Sequence, residues 1–172
     1  AGFIFGILAL IIAALFNFHL NRKRDERVRK DSAKSVAAAL YGEIVLLRKE
    51  LAHVARTTAR TYMEEGLSKR AHLKFDQQFL IRTRLPDPTL YNALATQLGL
   101  LPAEQLLAIT TFYSRYQEVR SWLPNLVADD DRGFSYSPLM VLEPADQAID
   151  EIVPVLREWE RQLGIAVPAE DP

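Results

Sequence analysis

The chain has 172 residues, of which 49% are hydrophobic and 25% are charged, and it contains no cysteine. That length fits one modest domain plus an extra segment, and the lack of cysteine excludes disulfides, thiolate metal sites and cysteine nucleophiles. The net charge of −1 conceals an asymmetry, because residues 1–20 are uncharged and residues 21–34 carry seven basic side chains against three acidic ones.

The first 20 residues predict a transmembrane helix. Every residue from Ala1 to Phe16 is apolar or glycine, and the first charged side chain is Arg22. An α-helix rises about 1.5 Å per residue, so 20 residues cross the roughly 30 Å of a bilayer's hydrocarbon core. A secretory signal peptide and a buried core helix are the alternatives. The first would carry its positive charges before the apolar run, and the second rarely runs this long without a charge.

Small residues recur in this segment at an interval of four. Gly2 and Gly6 form a Gly-x-x-x-Gly pair, and Ala9 and Ala13 repeat the spacing. Such a stripe lets a second transmembrane helix approach closely, although small residues are common in any spanning helix. We predict a helix–helix packing surface here, with other membrane-protein subunits as partners.

A basic juxtamembrane helix is predicted over residues 21–35. No proline or glycine interrupts residues 17–41, so the spanning helix is expected to continue into it. Positive charge beside a spanning helix stays on the cytoplasmic side and attracts anionic lipid headgroups, which places the N-terminus outside and the remaining chain in the cytoplasm. Nucleic acid is disfavoured as a partner, because the rest of the chain is acidic and no aromatic residues interleave the cations. The predicted membrane-surface residues are Arg22, Lys23, Arg24, Arg27, Arg29 and Lys30.

The clearest amphipathic helix begins at Val36 and stops at Gly66. Its charged residues fall mostly off a predicted stripe whose members recur at intervals of three and four, namely Val36, Leu40, Ile44, Leu47, Leu51, Val54, Thr58 and Tyr62. Residues 67–86 fit a helix less well. They predict a short helix followed by an extended run from Phe79 to Leu85, where the side chains alternate as in a strand.

Proline and glycine divide the next part of the chain. Asp87 is predicted to cap a short helix with Pro88 at its first position, and Gly99 is predicted to close it. A longer helix is predicted from Pro102 to Pro124, with its apolar and aromatic residues on one face.

The last part of the chain predicts a long loop and one more helix. The loop covers residues 125–143, and the helix runs from about Pro144 to Leu163, with a kink or a displaced start at Pro154 and a cap at Gly164. The predicted fold is therefore all-α, with an N-terminal transmembrane helix continuing into a cytoplasmic bundle of four to five helices. Its segments are 1–20 transmembrane, 21–35 juxtamembrane, 36–164 a soluble helical domain and 165–172 a flexible tail.

No motif predicts catalysis. Glu50 and His53 have the Glu-x-x-His spacing of di-iron bundles, but that site needs a second such pair and two further carboxylates, so a surface histidine is favoured. A calcium loop around Gly133 fails at three ligand positions. Neither a Gly-x-Ser-x-Gly turn nor a glycine-rich phosphate loop is present. We expect no catalytic residue, no metal ligand and no cofactor.

The acidic loop is a candidate partner surface instead. Loops of this length in compact domains are often functional. Its aromatic residues either dock a partner or fold back onto the core. The candidate residues are Asp129, Asp130, Asp131, Phe134 and Tyr136.

The stretch Leu85–Ala93, followed by Leu98–Pro102 and then Phe112–Tyr113, resembles a group of uncharacterised bacterial proteins. These look like short membrane-anchored helical chains with a tyrosine-containing helix before a Gly-Leu-Leu-Pro-like turn. The resemblance implies a bacterial inner membrane, and it brings no activity and no functional residues.

Three functions follow in order of preference. The first is a non-enzymatic, membrane-anchored interaction protein, such as an accessory or scaffold subunit of a larger inner-membrane complex. The second is a signalling or regulatory element that relays motion through the long juxtamembrane helix. The third is a metal-dependent enzyme, for which the pair of Glu50 and His53 is the one available chemistry.

Overall fold

A computed structural model describes residues 2–67, 73–127 and 136–165, with the side chains of residues 2–17 and of Gly66 outside that description. Within these ranges the chain is all-helical and has no strand, which confirms the predicted all-α class. The α-helices are α1 Gly2–Leu67, α2 Gln77–Arg82, α3 Thr89–Ala93, α4 Ala103–Trp122, α5 Leu139–Glu151 and α6 Val153–Leu163, and 3-10 helices cover Ala95–Leu100 and Leu123–Leu126.

Helix α1 supplies one wall of the core. Its buried residues recur at intervals of three and four, which keeps them on one face of a helix and confirms the predicted stripe as far as Thr58. The predicted last member, Tyr62, is 57% exposed, and Thr61 is buried in its place. Helices α5, α6 and α3 and the first 3-10 helix pack against α1, and α4 packs against α5. The stripe consists of Ala37, Leu40, Ile44, Leu47, Leu51, Val54, Thr58 and Thr61.

Helix α1 leaves the bundle at its N-terminal side. Every side chain from Phe18 to Asp31 is exposed, and the buried core begins at Val36. A search of the described residues finds no helical stretch that combines the length and the apolarity needed to cross a bilayer. The transmembrane prediction rests on residues 1–20, and the side chains of residues 1–17, including Gly2, Gly6, Ala9 and Ala13, lie outside the described ones.

The extended run predicted from Phe79 is wrong, because residues 77–82 form α2. The Asp76 carboxylate accepts a 2.9 Å hydrogen bond from the backbone N–H of Phe79 and so starts the helix. Phe79 and Thr83 lie one helical turn apart and both are buried, whereas Ile81 between them is 68% exposed. The alternation in sequence therefore does not correspond to a shared buried face. The short helix predicted before it falls partly on residues 68–72, outside the described part of the chain.

The predicted cap of the next helix is also wrong. Helix α3 begins at Thr89 with Pro88 in the capping position, and neither Pro88 nor Asp87 supplies a side-chain cap. Asp87 forms an ion pair with Arg120 of α4 instead. Gly99 does not close this helix either, because it lies inside the 3-10 helix Ala95–Leu100.

The C-terminal half differs from the prediction mainly at the start of α5. Helix α4 begins directly after Pro102, as predicted, and α5 begins at Leu139 rather than at Pro144, so the loop predicted to reach residue 143 is too long. Pro144 is buried inside α5. The single helix predicted from Pro144 to Leu163 is wrong, because the chain divides at Ile152 into α5 and α6, with Pro154 in the first turn of α6.

Gly164 ends α6 as predicted. Its φ of 66° lies in the left-handed region, and its backbone N–H donates to the carbonyl of Glu160. Residues 166–172 of the predicted tail lie outside the described ranges.

Candidate functional site

A buried carboxylate on α1 joins three elements of the fold. Glu43 is 6% exposed and sits beside the apolar stripe. Its Oε1 accepts a 2.7 Å hydrogen bond from the backbone N–H of Leu90, and its Oε2 accepts bonds from the N–H of Tyr91 at 2.9 Å and from the hydroxyl of Tyr113 at 2.7 Å. A buried carboxylate is tolerated when it is hydrogen-bonded in this way.

Glu43 therefore caps α3 from a distant part of the chain. Leu90 and Tyr91 belong to the first turn of α3, where backbone N–H groups have no partner within the helix. A negative charge at that end also interacts favourably with the helix dipole. Three donors occupy the carboxylate, so the arrangement fixes α3 against α1 and α4 rather than providing a general base.

The tyrosine that completes this cluster is held in its neutral form. Burial, and after it the hydrogen bond to the Glu43 carboxylate, raises the pKa of the Tyr113 phenol far above its usual value. The Tyr91 ring stacks on the Tyr113 ring with centroids 3.8 Å apart and planes at 18°. The Tyr113 hydroxyl thus remains a donor to Glu43 across the physiological pH range.

A second tyrosine of α4 holds the segment before α3. The hydroxyl of Tyr116 donates a 2.6 Å hydrogen bond to the carbonyl of Pro86. Burial raises the pKa of Tyr116, and the nearby Arg120 guanidinium opposes that shift. Together with the ion pair between Arg120 and Asp87, this bond ties residues 86–91 to α4. The cluster is a structural joint.

The pair of Glu50 and His53 has no further metal ligands beside it among the described residues. His53 is exposed on α1 and Glu50 is half-buried. No group of three histidine or acidic side chains in the described ranges is arranged to hold a metal ion.

The predicted membrane-surface residues all lie on the exposed part of α1. Arg22, Lys23, Arg24, Arg27, Arg29 and Lys30 are each exposed, and Arg22 pairs with Glu26 at 3.5 Å. Five of these cations surround the part of α1 that precedes the bundle, whereas Lys30 lies where α1 meets the bundle end.

The candidate partner loop is described only at its end. Asp129, Asp130, Asp131 and Phe134 lie outside the described residues. The ring of Tyr136 packs against Trp122 at 5.3 Å between centroids, and its backbone N–H donates to the carbonyl of Asn125 at 3.2 Å. Of the two alternatives for this tyrosine, the contacts favour folding back onto the domain.

A cavity of about 290 Å³ opens where α1 leaves the bundle. Four residues of α1 form one side, namely Lys30, Ala33, Lys34 and Ala37. The other side comes from Leu100, Leu101 and Pro102, from Gln105 in the first turn of α4, and from Gln162 and Leu163 at the end of α6. The sequence did not predict this cavity. Two of its components are recognisable in the sequence, namely the helical spacing of the four α1 residues and the Gly-Leu-Leu-Pro turn.

Comparison with protein-family models, curated proteins and solved structures finds no match. The resemblance to short membrane-anchored bacterial chains therefore stays a prediction. Function is inferred from two features of the molecule, the exposed N-terminal part of α1 and the cavity beside it.

Proposed function

We propose that this protein is a membrane-anchored, non-enzymatic interaction protein, an accessory or scaffold subunit of a larger complex in a bacterial inner membrane. The observation that carries the proposal is the continuity of α1. One helix runs from the uncharged N-terminal segment, through the exposed basic stretch, into the core of the bundle.

The dimensions of α1 suit an anchored domain. Leu20, the last residue of the predicted transmembrane segment, and Val36 are 16 residues apart, so about 24 Å of helix separates that segment from the core at 1.5 Å per residue. The exposed cations occupy the part nearest the apolar segment, where anionic headgroups would attract them by around 1 kcal/mol each. Lipid bilayer, anionic headgroups and other membrane subunits are the partners that this arrangement suits.

Membrane insertion is tested on the full chain in cells. We expect the protein to sediment with membranes and to resist alkaline carbonate, because its uncharged first segment prefers hydrocarbon to water. A variant with Leu8→Arg and Ile12→Arg is expected to be released. A wild-type chain that stays in solution without detergent contradicts the anchor.

Orientation is tested by removing charge at matched positions. Replacing Arg22, Lys23, Arg24, Arg27, Arg29 and Lys30 with glutamine is expected to let external protease reach the bundle in spheroplasts, because the positive-inside signal is lost. The control replaces the same numbers of arginine and lysine elsewhere, at the exposed Lys49, Arg56, Lys74, Arg82, Arg84 and Arg157. Digestion of the wild-type bundle by external protease overturns the proposed cytoplasmic location.

The accessory-subunit role is tested by native mass spectrometry of protein extracted from its own membranes. A defined stoichiometric complex with another membrane subunit is the expected result. A strictly monomeric species from native membranes contradicts it.

A signalling element is the second candidate, and the position of Glu43 favours it. Glu43 is on α1 and holds α3, so a rotation of α1 would disturb both α3 and α4. The chain has no native cysteine, which makes single-cysteine cross-linking unambiguous. Cross-links at the exposed, seven-residue-spaced positions 46, 53 and 60, and none at position 49, would indicate a parallel dimer along α1 and favour signalling. Absence of all of them would favour the accessory subunit.

A further inference from the structure

The cavity beside the exit point of α1 combines an apolar floor with a cationic rim. Ala37 and Leu101 are buried, and Leu100 and Leu163 are partly buried. The space exists because α1 presents alanine at positions 33 and 37, whereas the larger leucine and isoleucine occupy the stripe from Leu40 to Leu51. At about 290 Å³ the cavity is at the small end of ligand pockets, which suits one hydrocarbon chain rather than two.

The rim carries positive charge without a balancing acid. Lys30 and Lys34 are exposed, and neither forms an ion pair within the described part of the chain. The lining residues that the structure describes include no aspartate or glutamate. A ligand with a negative head group therefore finds two cations and no acidic side chain among the described lining residues.

Two further groups at the rim suit an anion. Helix α4 starts beside the cavity after Pro102 without a side-chain cap, so the positive end of its dipole lies near the lysines and is offset in part by Glu104 of its own first turn. The Gln105 carboxamide oxygen accepts a 2.9 Å bond from Trp159 Nε1, which leaves its NH₂ as the group to donate to a ligand.

We propose that this cavity binds a single-chain anionic amphiphile of the fatty-acid class. The hydrocarbon chain lies against Ala37, Leu101 and Leu163, and the carboxylate lies between Lys30 and Lys34. Among the described lining residues there is no carboxylate for a divalent cation and no aromatic ring to stack on a base. The proposal does not depend on the membrane anchor, because it rests on the bundle end alone.

The test uses the full chain in nanodiscs of phosphatidylcholine, with dodecanoate labelled with carbon-13 at its carboxyl group as the probe. Empty nanodiscs give the lipid-bound resonance. We expect an additional resonance that saturates at one dodecanoate per chain. Unlabelled dodecanoate should displace it, and dodecanol and dodecyltrimethylammonium should not. Absence of a protein-specific resonance overturns the proposal, and so does equal displacement by dodecanol.

Matched variants separate charge from shape. Lys30→Gln with Lys34→Gln is expected to weaken binding about tenfold, as two partly exposed charge pairs would. Lys49→Gln with Lys74→Gln makes the same change of net charge away from the cavity and should leave binding intact. Equal weakening by both pairs contradicts the assigned site.

The floor is tested at neighbouring alanines. Ala37→Leu fills the cavity and should abolish binding, whereas Ala38→Leu on the exposed side of α1 should not. Circular dichroism confirms that each variant is folded. Unchanged binding in a folded Ala37→Leu variant would show that the chain lies elsewhere.

Discussion

The carboxylate of Glu43 and the phenol of Tyr113 meet at 2.7 Å in the buried interior, 70 residues apart along the chain. The same carboxylate also accepts from two backbone N–H groups of α3. This one side chain therefore sets the relative positions of α1, α3 and α4.

Replacing Glu43 is expected to destabilise the bundle strongly. In Glu43→Gln an NH₂ group replaces one of the two carboxylate oxygens, and it then faces an N–H or O–H donor instead of accepting from it. We expect this to lower the free energy of unfolding by about 2 to 4 kcal/mol. Tyr113→Phe removes one donor and leaves two, and should cost about 1 kcal/mol. Chemical denaturation measures both, with Glu65→Gln at an exposed position of α1 as the control. A Glu43→Gln variant as stable as that control would show that the cluster contributes nothing.

Stability should decline at alkaline pH. Burial raises the pKa of Tyr113 and of Tyr116 above the value of about 10 that an unfolded phenol has. Above pH 10 the unfolded state therefore binds fewer protons than the folded state, and the free energy of unfolding falls as pH rises. Below that pH both phenols are protonated in the folded and in the unfolded state, so they contribute no pH dependence to the free energy of unfolding.

The alkaline decline is assigned by substitution. Tyr113→Phe should make it shallower, because one of the protected phenols is gone. Tyr62→Phe, at a side chain 57% exposed, should leave it as steep as in the wild type. The measurement is denaturation between pH 8 and 12, and a slope that Tyr113→Phe leaves unaltered would contradict the assignment.

Two adjacent leucines of α1 test which face is the core. Leu47 is 1% exposed and Leu46 is 53% exposed. Leu47→Ala leaves a cavity and should cost about 2 to 5 kcal/mol, whereas Leu46→Ala should change stability by less than about 0.5 kcal/mol. Thermal and chemical unfolding compare the pair. Equal losses would mean that Leu46 is covered by something in solution.

Two glycines should respond to alanine with opposite signs. Gly42 lies in the middle of α1 with open space where a Cβ would be, so Gly42→Ala should stabilise the protein by about 0.5 to 1 kcal/mol. Gly164 has a φ of 66°, so Gly164→Ala should destabilise it by about 1 to 2 kcal/mol. The difference between their melting temperatures is the readout, and changes of the same sign would contradict the backbone assignment.

The parts of the fold that follow from local patterns were predictable from the sequence. The stripe of α1 depends on periodicity and is as predicted from Val36 to Thr58, although Tyr62 is exposed. The cap at Gly164 depends on one backbone conformation and is also as predicted. Helix α2 was missed because its buried residues are few, although Asp76 three residues before Phe79 was a capping signal. The start of α5 was predicted at Pro144 because proline favours the first turn of a helix. In the structure the helix begins at Leu139, and Pro144 is buried within it.

The joint and the cavity could not be predicted, because both depend on contacts between distant residues. Nothing near Glu43 in the sequence shows that it caps a helix 47 residues later. Likewise, Lys30 and Lys34 belong to a basic run, and only the packing of the first 3-10 helix and of α6 against α1 gives them apolar neighbours.

Because α1 is one continuous helix, its exposed stretch fixes both the rotation and the distance of the bundle relative to the N-terminal segment. Each residue inserted between Phe18 and Asp31 would turn the bundle by about 100° and push it about 1.5 Å outward, since a helix has 3.6 residues per turn. Insertion of seven residues would restore its facing to within about 20°. A partner that binds both ends of the molecule would therefore be affected more by the change in rotation than by the change in length.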